Sequence, residues 1–177
     1  MKVGDPTDPS TDIGALVDYA HMQSVLSYVE RGKLEGATLC CGGRRIREDS
    51  GGYFVAPTIF TGVKNSMAIA QEEIFGPVLS IVPFDDASEA VAIANESAYG
   101  LGAAVWTSDI DQALLTAKEL SAGQVWINNY DAADITVPWG GTKQSGNARD
   151  KSLHAFEQYC CLKAVWIELH DRAARAT

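Results

Sequence analysis

Apolar residues recur at helical spacing from about Tyr19 to Arg31, where Met22, Val25, Leu26 and Val29 share one face. Gly32 and Gly36 break that pattern. Ala37 to Cys41 reads as a short strand ended by Gly42 and Gly43, and Arg44 to Gly52 as an exposed polar hairpin or loop. Tyr53 to Phe60 is aromatic and β-branched, but Pro57 lacks a ladder donor, which predicts an edge or irregular strand. Val78 to Val82 has the short apolar run of a buried strand. Asp85 or Asp86 then caps a helix over Ala87 to Asn95, with Glu89 one turn inside. Leu101 to Trp106 is a second apolar run, and Ser108 or Asp109 caps a helix over Ile110 to Leu120, which Gly123 stops. Val125 to Ile127 is the next strand. This alternation is the βαβ rhythm of a parallel sheet with helices on its faces.

The last third changes character. Asp131 to Gly146, with Pro138 and Gly140-Gly141, reads as loop, and Lys151 to Gln158 as a short helix. Cys160 to Leu169 is almost continuously apolar and β-prone, interrupted chiefly by Lys163. A lone apolar strand needs a partner sheet. The opening Gly4 to Asp12 is rich in turn formers.

Composition narrows the functions. The 177 residues include 46% apolar and 21% charged residues, the profile of a globular protein. The formal charge of −9 disfavours nucleic-acid binding, because a polyanion repels phosphate backbones. No apolar run approaches the roughly 18 residues that span a bilayer, and no signal core follows Met1, so a soluble cytoplasmic protein is expected. The four cysteines fall as neighbours, Cys40-Cys41 and Cys160-Cys161, which argues against a disulfide framework. Cys-x-x-Cys and His-x-x-x-His spacings are absent from the sequence, so no metal site is predicted.

Two glycine-rich strings fail as phosphate loops. Gly100-Leu101-Gly102 precedes a strand instead of following one, and Val105 stands where a third glycine belongs. Gly141 to Gly146 has P-loop spacing, but Asn147 replaces the required lysine. His21, His154 and His170 lie in no catalytic arrangement with Ser or Cys and read as surface or helix-face residues. The pair Glu72-Glu73 reads either as a solvated helix end or as a carboxylate aimed into a cleft. A carboxylate can accept from two ribose hydroxyls, and the nearby aromatic ring can pack on a flat ligand.

Four strings together resemble the aldehyde dehydrogenase superfamily. They are Gln71-Glu72-Glu73-Ile74-Phe75-Gly76-Pro77-Val78, Tyr99 to Thr107, Gly123 to Asn129, and Pro138-Trp139-Gly140-Gly141-Thr142-Lys143-Gln144-Ser145-Gly146 followed by Arg149-Asp150. They stand in the family's order and spacing, and the similarity runs over about residues 2 to 169. The last part looks most like the aminoaldehyde-oxidising bacterial branch, of the γ-glutamyl-γ-aminobutyraldehyde dehydrogenase type.

The resemblance implies an α/β fold: a portion of the family's three-layer catalytic domain with a parallel-rich sheet, plus a C-terminal oligomerisation strand. Residues 1–158 would be partial catalytic domain and following turn and helix, and 159–177 the oligomerisation strand and tail. It implies an NAD(P)-dependent oxidation of an aldehyde to a carboxylate through a cysteine thioester in the complete enzyme. The nucleophilic cysteine, the base glutamate and the nucleotide-binding domain match nothing in this chain. Alone it is therefore expected to be inactive and not to bind NAD or NADP. The competing expectation is a non-catalytic oligomerisation or interaction module.

Position by position, Glu73 matches the glutamate that binds the nicotinamide ribose hydroxyls, and Phe75 the aromatic beside the nicotinamide. Trp139 matches an aromatic of the aldehyde tunnel; Asp131, Ala132 and Val137 match its bordering loop. Cys160, Cys161, Leu162, Lys163, Ala164, Val165, Trp166, Ile167 and Glu168 match the strand that joins a neighbouring subunit, implying a homo-oligomer. Cys40 and Cys41 match no catalytic position and are expected to be buried structural residues. Two positions depart from the family pattern. Ala148 replaces a common glycine before Arg149, which would strain it if φ there is positive. Cys160-Cys161 after Tyr159 removes a carboxylate that would pair with Arg149.

Overall fold

The computed structural model describes residues 1–168. They divide into two compact units, Met1–Ala98 and the chain from Tyr99 onward. The architecture is α/β with mixed sheets.

In the first unit, helix α1 (Tyr19–Leu34) starts where the Asp18 carboxylate accepts from His21 N–H at 2.7 Å. Its apolar stripe is the expected one: Met22, Val25 and Val29 are fully buried. Strand β1 (Thr38–Cys41) runs antiparallel to β4 (Thr58–Thr61), and β4 runs parallel to β5 (Val78–Ser80), in the order β1-β4-β5. Short strands β2 (Arg45–Ile46) and β3 (Phe54–Val55) pair around a 3-10 turn at Glu48–Ser50. Val29, Ala37, Phe60, Val63, Met67 and Ile69 form one core cluster; Met22, Val25 and Val55 form another. Gly32 of α1 lets Ile69 and Phe60 approach, since a Cβ there would meet Ile69 Cδ1 at 2.9 Å. Helix α2 (Ala68–Gln71) is short. Helix α3 (Ala87–Asn95) is capped reciprocally: Asp86 accepts from Glu89 N–H at 2.9 Å, and Glu89 accepts from Asp85 N–H at 2.6 Å.

The segment expected as one edge strand over Tyr53 to Phe60 is two strands, and β4 lies in the middle of its sheet. Pro57 falls between them, so its missing N–H interrupts no ladder, and Thr58 N–H donates to Pro77 O at 2.8 Å. The run at Val78 is less buried than its composition suggests, with Leu79 56% exposed at the end of the sheet order.

In the second unit, β6 (Tyr99–Gly100) pairs antiparallel with β9 (Thr142–Lys143). Strand β7 (Gly102–Val105) pairs in parallel with β8 (Gln124–Ile127) from Gly102↔Gln124 to Val105↔Ile127. Helix α4 (Ile110–Glu119) connects them, giving the expected βαβ unit, with its own Ala113 buried. Of the two candidate caps, Asp109 does the capping, accepting from Asp111 and Gln112 N–H. Helix α5 (His154–Gln158) is shorter than expected.

Residues Cys160 to Glu168 form no strand, and Leu162 and Trp166 are almost wholly exposed. The physical reason is the one the sequence carries: an extended segment without a ladder partner has no hydrogen bonds to hold it in a sheet. Leu169 and the tail to Thr177 lie outside the described residues. Cys40 and Cys41 are exposed, against the expectation of burial. Ala148 is absent from the positive-φ residues, so the suspected backbone strain does not arise there.

Candidate functional site

Neighbouring carboxylates Glu72 and Glu73 have different surroundings. Glu72 follows α2 and accepts from the Tyr28 hydroxyl at 2.7 Å and from Arg31 Nη1 at 3.0 Å. The Tyr28 hydrogen bond is the largest cause holding its carboxyl below the ordinary value near 4.5, with Arg31 adding to it. Glu35 completes the network, bonding Arg31 Nε at 3.0 Å and accepting from Ala68 N–H at 2.8 Å. Glu73 is exposed and has no hydrogen-bond or ion-pair partner among the described residues. Within the pair, Glu72 is tied to α1, whereas Glu73 is exposed to solvent.

Two residues on, Phe75 has φ 52 and is 74% exposed. A left-handed conformation costs a non-glycine residue roughly 1–2 kcal/mol. The strain sits in a firmly fixed segment. A Cβ on Gly76 would lie 2.7 Å from both Val25 methyls, and Pro77 O accepts from β4. These contacts place an exposed carboxylate and an uncovered ring on one short connection.

The tunnel candidates lie in the second unit. Ala132, Val137 and Trp139 come together around a cavity of about 240 Å3, with Gln124, Ala133, Asp134 and Lys151. Trp139 is held by mutual backbone hydrogen bonds with Asp150, at 2.8 and 2.7 Å. Trp126 Nε1 donates to Ala132 O at 2.8 Å, fixing the loop from beneath, and its ring lies 5.5 Å from that of Tyr130. Asp131, at φ 61, turns the chain but is not among the lining residues.

Gln124, Asp134 and Lys151 were not foreseen from the sequence. Gln124 lay within a recognised string, and its side chain reaches Pro138 O at 2.5 Å. Nothing in the local sequence marks Asp134 or Lys151 as partners 17 residues apart. The Asp134 carboxyl is lowered chiefly by the Thr136 hydroxyl and also by Lys151.

The turn carrying Trp139 is built from close backbone approaches. A Cβ on Gly140 would collide with Ala148 O, and one on Gly123 with Gly140 O. Ser145 Oγ accepts from Gly100 N–H at 3.1 Å. Arg149 Nη1 donates to Gly141, Asn147 and Ala148 carbonyls, so backbone oxygens take the guanidinium. Beyond it, Ile135, Leu153, Phe156 and Tyr159 line an open apolar groove of about 720 Å3.

The frame is α/β, with the exposed Glu73 and Phe75 in the first unit and a cavity lined by Trp139 in the second. The aldehyde dehydrogenase family model matches residues 1–165. A betaine aldehyde dehydrogenase of Rhizobium leguminosarum bv. trifolii is 47% identical over 168 residues, 94% of this chain and 34% of that protein. The solved aldehyde dehydrogenase KauB from Pseudomonas aeruginosa is 61% identical with TM-score 0.90, covering 95% of this chain and 34% of that one. A mutant of P. syringae AldA, an indole-3-acetaldehyde dehydrogenase in complex with NAD+ and IAA, is 58% identical with TM-score 0.90, over 95% of this chain and 34% of its own. The chain belongs to the aldehyde dehydrogenase family. It spans about a third of the length of these relatives.

Proposed function

We propose that this chain supplies the nicotinamide-ribose end of the cofactor site and one wall of the aldehyde tunnel of an NAD(P)-dependent aldehyde dehydrogenase. The observation that carries this reading is the contrast between Glu72, anchored by Tyr28 and Arg31, and Glu73, unpaired beside the exposed Phe75. In the complete enzyme NAD or NADP supplies the hydride acceptor. Glu73 accepts hydrogen bonds from the ribose hydroxyls, and Phe75 packs against the flat ring, excluding water. Residues 1–158 are then partial catalytic domain, and 159–177 the strand and tail of a homo-oligomer.

The substrate is an aldehyde taken in beside Ala132, Val137 and Trp139, with Asp131 shaping the loop. An indole face attracts cations, so an amino- or trimethylammonio-aldehyde fits this wall. The relatives include a betaine aldehyde dehydrogenase and an indole-3-acetaldehyde dehydrogenase, one named for a cationic and one for an indolic aldehyde. Four free, exposed thiols suit the reducing cytoplasm. Without the cysteine nucleophile and its base, the chain alone does not turn over aldehyde.

Two measurements test this. The purified chain with NAD+ and betaine aldehyde forms no NADH; turnover abolished by thiol alkylation refutes the reading. In a chimera where this chain replaces the matching third of the R. leguminosarum relative, Glu73→Gln raises KM for NAD+ more than it lowers kcat. An unchanged KM for NAD+ removes Glu73 from the site.

A second reading, an interaction module, is favoured by one observation: Leu162, Val165, Trp166 and Ile167 are all exposed. Size-exclusion chromatography with and without residues 159–177 decides it. An unchanged monomer after deletion counts against both the module and the oligomerisation strand.

A further inference from the structure

The exposed pair Cys40-Cys41 lies at an irregularity in β1. Thr38 pairs with Thr61 and Leu39 with Phe60, but the next partner of β4, Ile59, faces Cys41. Cys40 is thus an inserted residue, a β-bulge. In a regular strand neighbouring side chains point to opposite faces. One inserted residue reverses that alternation for everything after it. Residues paired across a ladder share a face. Leu39 and Phe60 point into the core cluster, whereas Cys41 shares the opposite face with Ile59. Cys40 is on that opposite face too, since its Sγ lies 3.2 Å from Thr61 Oγ1. Both thiols are free and exposed. The segment after them is fixed by Gly43 N–H donating to Thr58 Oγ1 at 2.8 Å.

The geometry points to a vicinal dithiol site at Cys40-Cys41, formed by the bulge, for monosubstituted trivalent arsenicals. With phenylarsine oxide, both S–H bonds break and two S–As bonds form. The two protons go to the arsenic-bound oxygen, the As–O bond breaks, and one water leaves. Arsenic stays trivalent and nothing is oxidised or reduced. The pair Cys160-Cys161 has the same adjacency but lies in a segment without regular structure. Closing a ring there orders free chain, at an entropic cost that the bulge has already met during folding.

The test is intact-mass and peptide-mapping analysis of the folded chain after one equivalent of phenylarsine oxide and a chase with excess glutathione. A chelate on two thiols survives the chase and an adduct on one thiol does not. The expected result is one retained adduct on the Cys40-Cys41 peptide, lost in Cys40→Ser and in Cys41→Ser and kept in the Cys160→Ser/Cys161→Ser variant. In urea the preference between the two pairs disappears. Retention at Cys160-Cys161 alone, equal retention at both pairs, or no retention overturns the proposal. Mapping of the wild-type adduct gives the answer even where a serine variant fails to fold.

Discussion

Gly123→Ala tests whether the Trp139 turn depends on backbone contact. Gly123 N–H donates to Gly100 O at 3.0 Å, placing the residue where β8 begins beside β6. A Cβ there would overlap Gly140 O, reach Gly140 C at 2.8 Å and Gly141 Cα at 3.0 Å. All three are backbone atoms, so no flexible side chain can yield. Gly123 does not occupy the positive-φ region, so the penalty is steric and not conformational. Overpacking of this kind costs about 1–3 kcal/mol. With a urea dependence of about 1–3 kcal/mol per molar, the midpoint falls by roughly 1 M. All four tryptophans, Trp106, Trp126, Trp139 and Trp166, lie in the unit that carries the change. Tryptophan-detected urea unfolding therefore reports on it directly. Displacing residues 138–141 also alters the Trp139 environment, so the native emission shifts. An unchanged midpoint together with an unchanged emission maximum refutes the idea that this turn is set by glycine approach.

Phe60→Ala, removing a fully buried ring from the central strand, lowers stability by about 3–5 kcal/mol, read by circular dichroism in urea. Asp109→Ala frees two capped N–H groups of α4 and costs about 1 kcal/mol by the same method, with Asp109→Asn restoring most of it. Glu72 has a folded pKa below its unfolded value near 4.5, so its contribution is complete above that pH and is lost as pH falls through the folded value. Glu72→Gln therefore lowers the urea midpoint above pH 4.5, and the gap from wild type narrows below it; a gap that widens on acidification contradicts the Tyr28–Arg31 anchor.

Elements set by local periodicity and capping were legible in the chain. The stripe Met22, Val25, Val29 marked α1, and the pairs Asp85-Asp86 and Ser108-Asp109 marked the starts of α3 and α4, with the structure choosing Asp86 and Asp109. Long-range pairing was not legible. Pro57 argues for an edge strand only when it lies within the ladder, and its position one residue before β4 is a matter of register. The exposure of Cys40 and Cys41 likewise follows from a bulge that depends on β4, whereas their matching no catalytic position suggested only buried structural residues. For the site, the recognised strings carried Glu73, Phe75 and Trp139. Without the resemblance, the pair Glu72-Glu73 read alike, because what separates them is Tyr28 and Arg31, more than forty residues earlier.

That separation between bearing a group and positioning it runs through both candidate sites. The anchors around Glu73 and Phe75 are Glu72 on α1, Gly76 against Val25, and Pro77 in the β4 ladder, all within the first unit. Trp139 is placed by its bridge to Asp150 and by glycine contacts, all within the second. Each candidate segment is therefore held by contacts within its own unit. The strained Phe75 is the sharpest instance: its left-handed backbone persists because residues on either side over-determine it. Substitutions at Tyr28, Arg31 or Val25 act on the Glu73–Phe75 segment through its position. Their effect falls on the geometry of Glu73 and Phe75 while leaving the chemistry of both side chains intact.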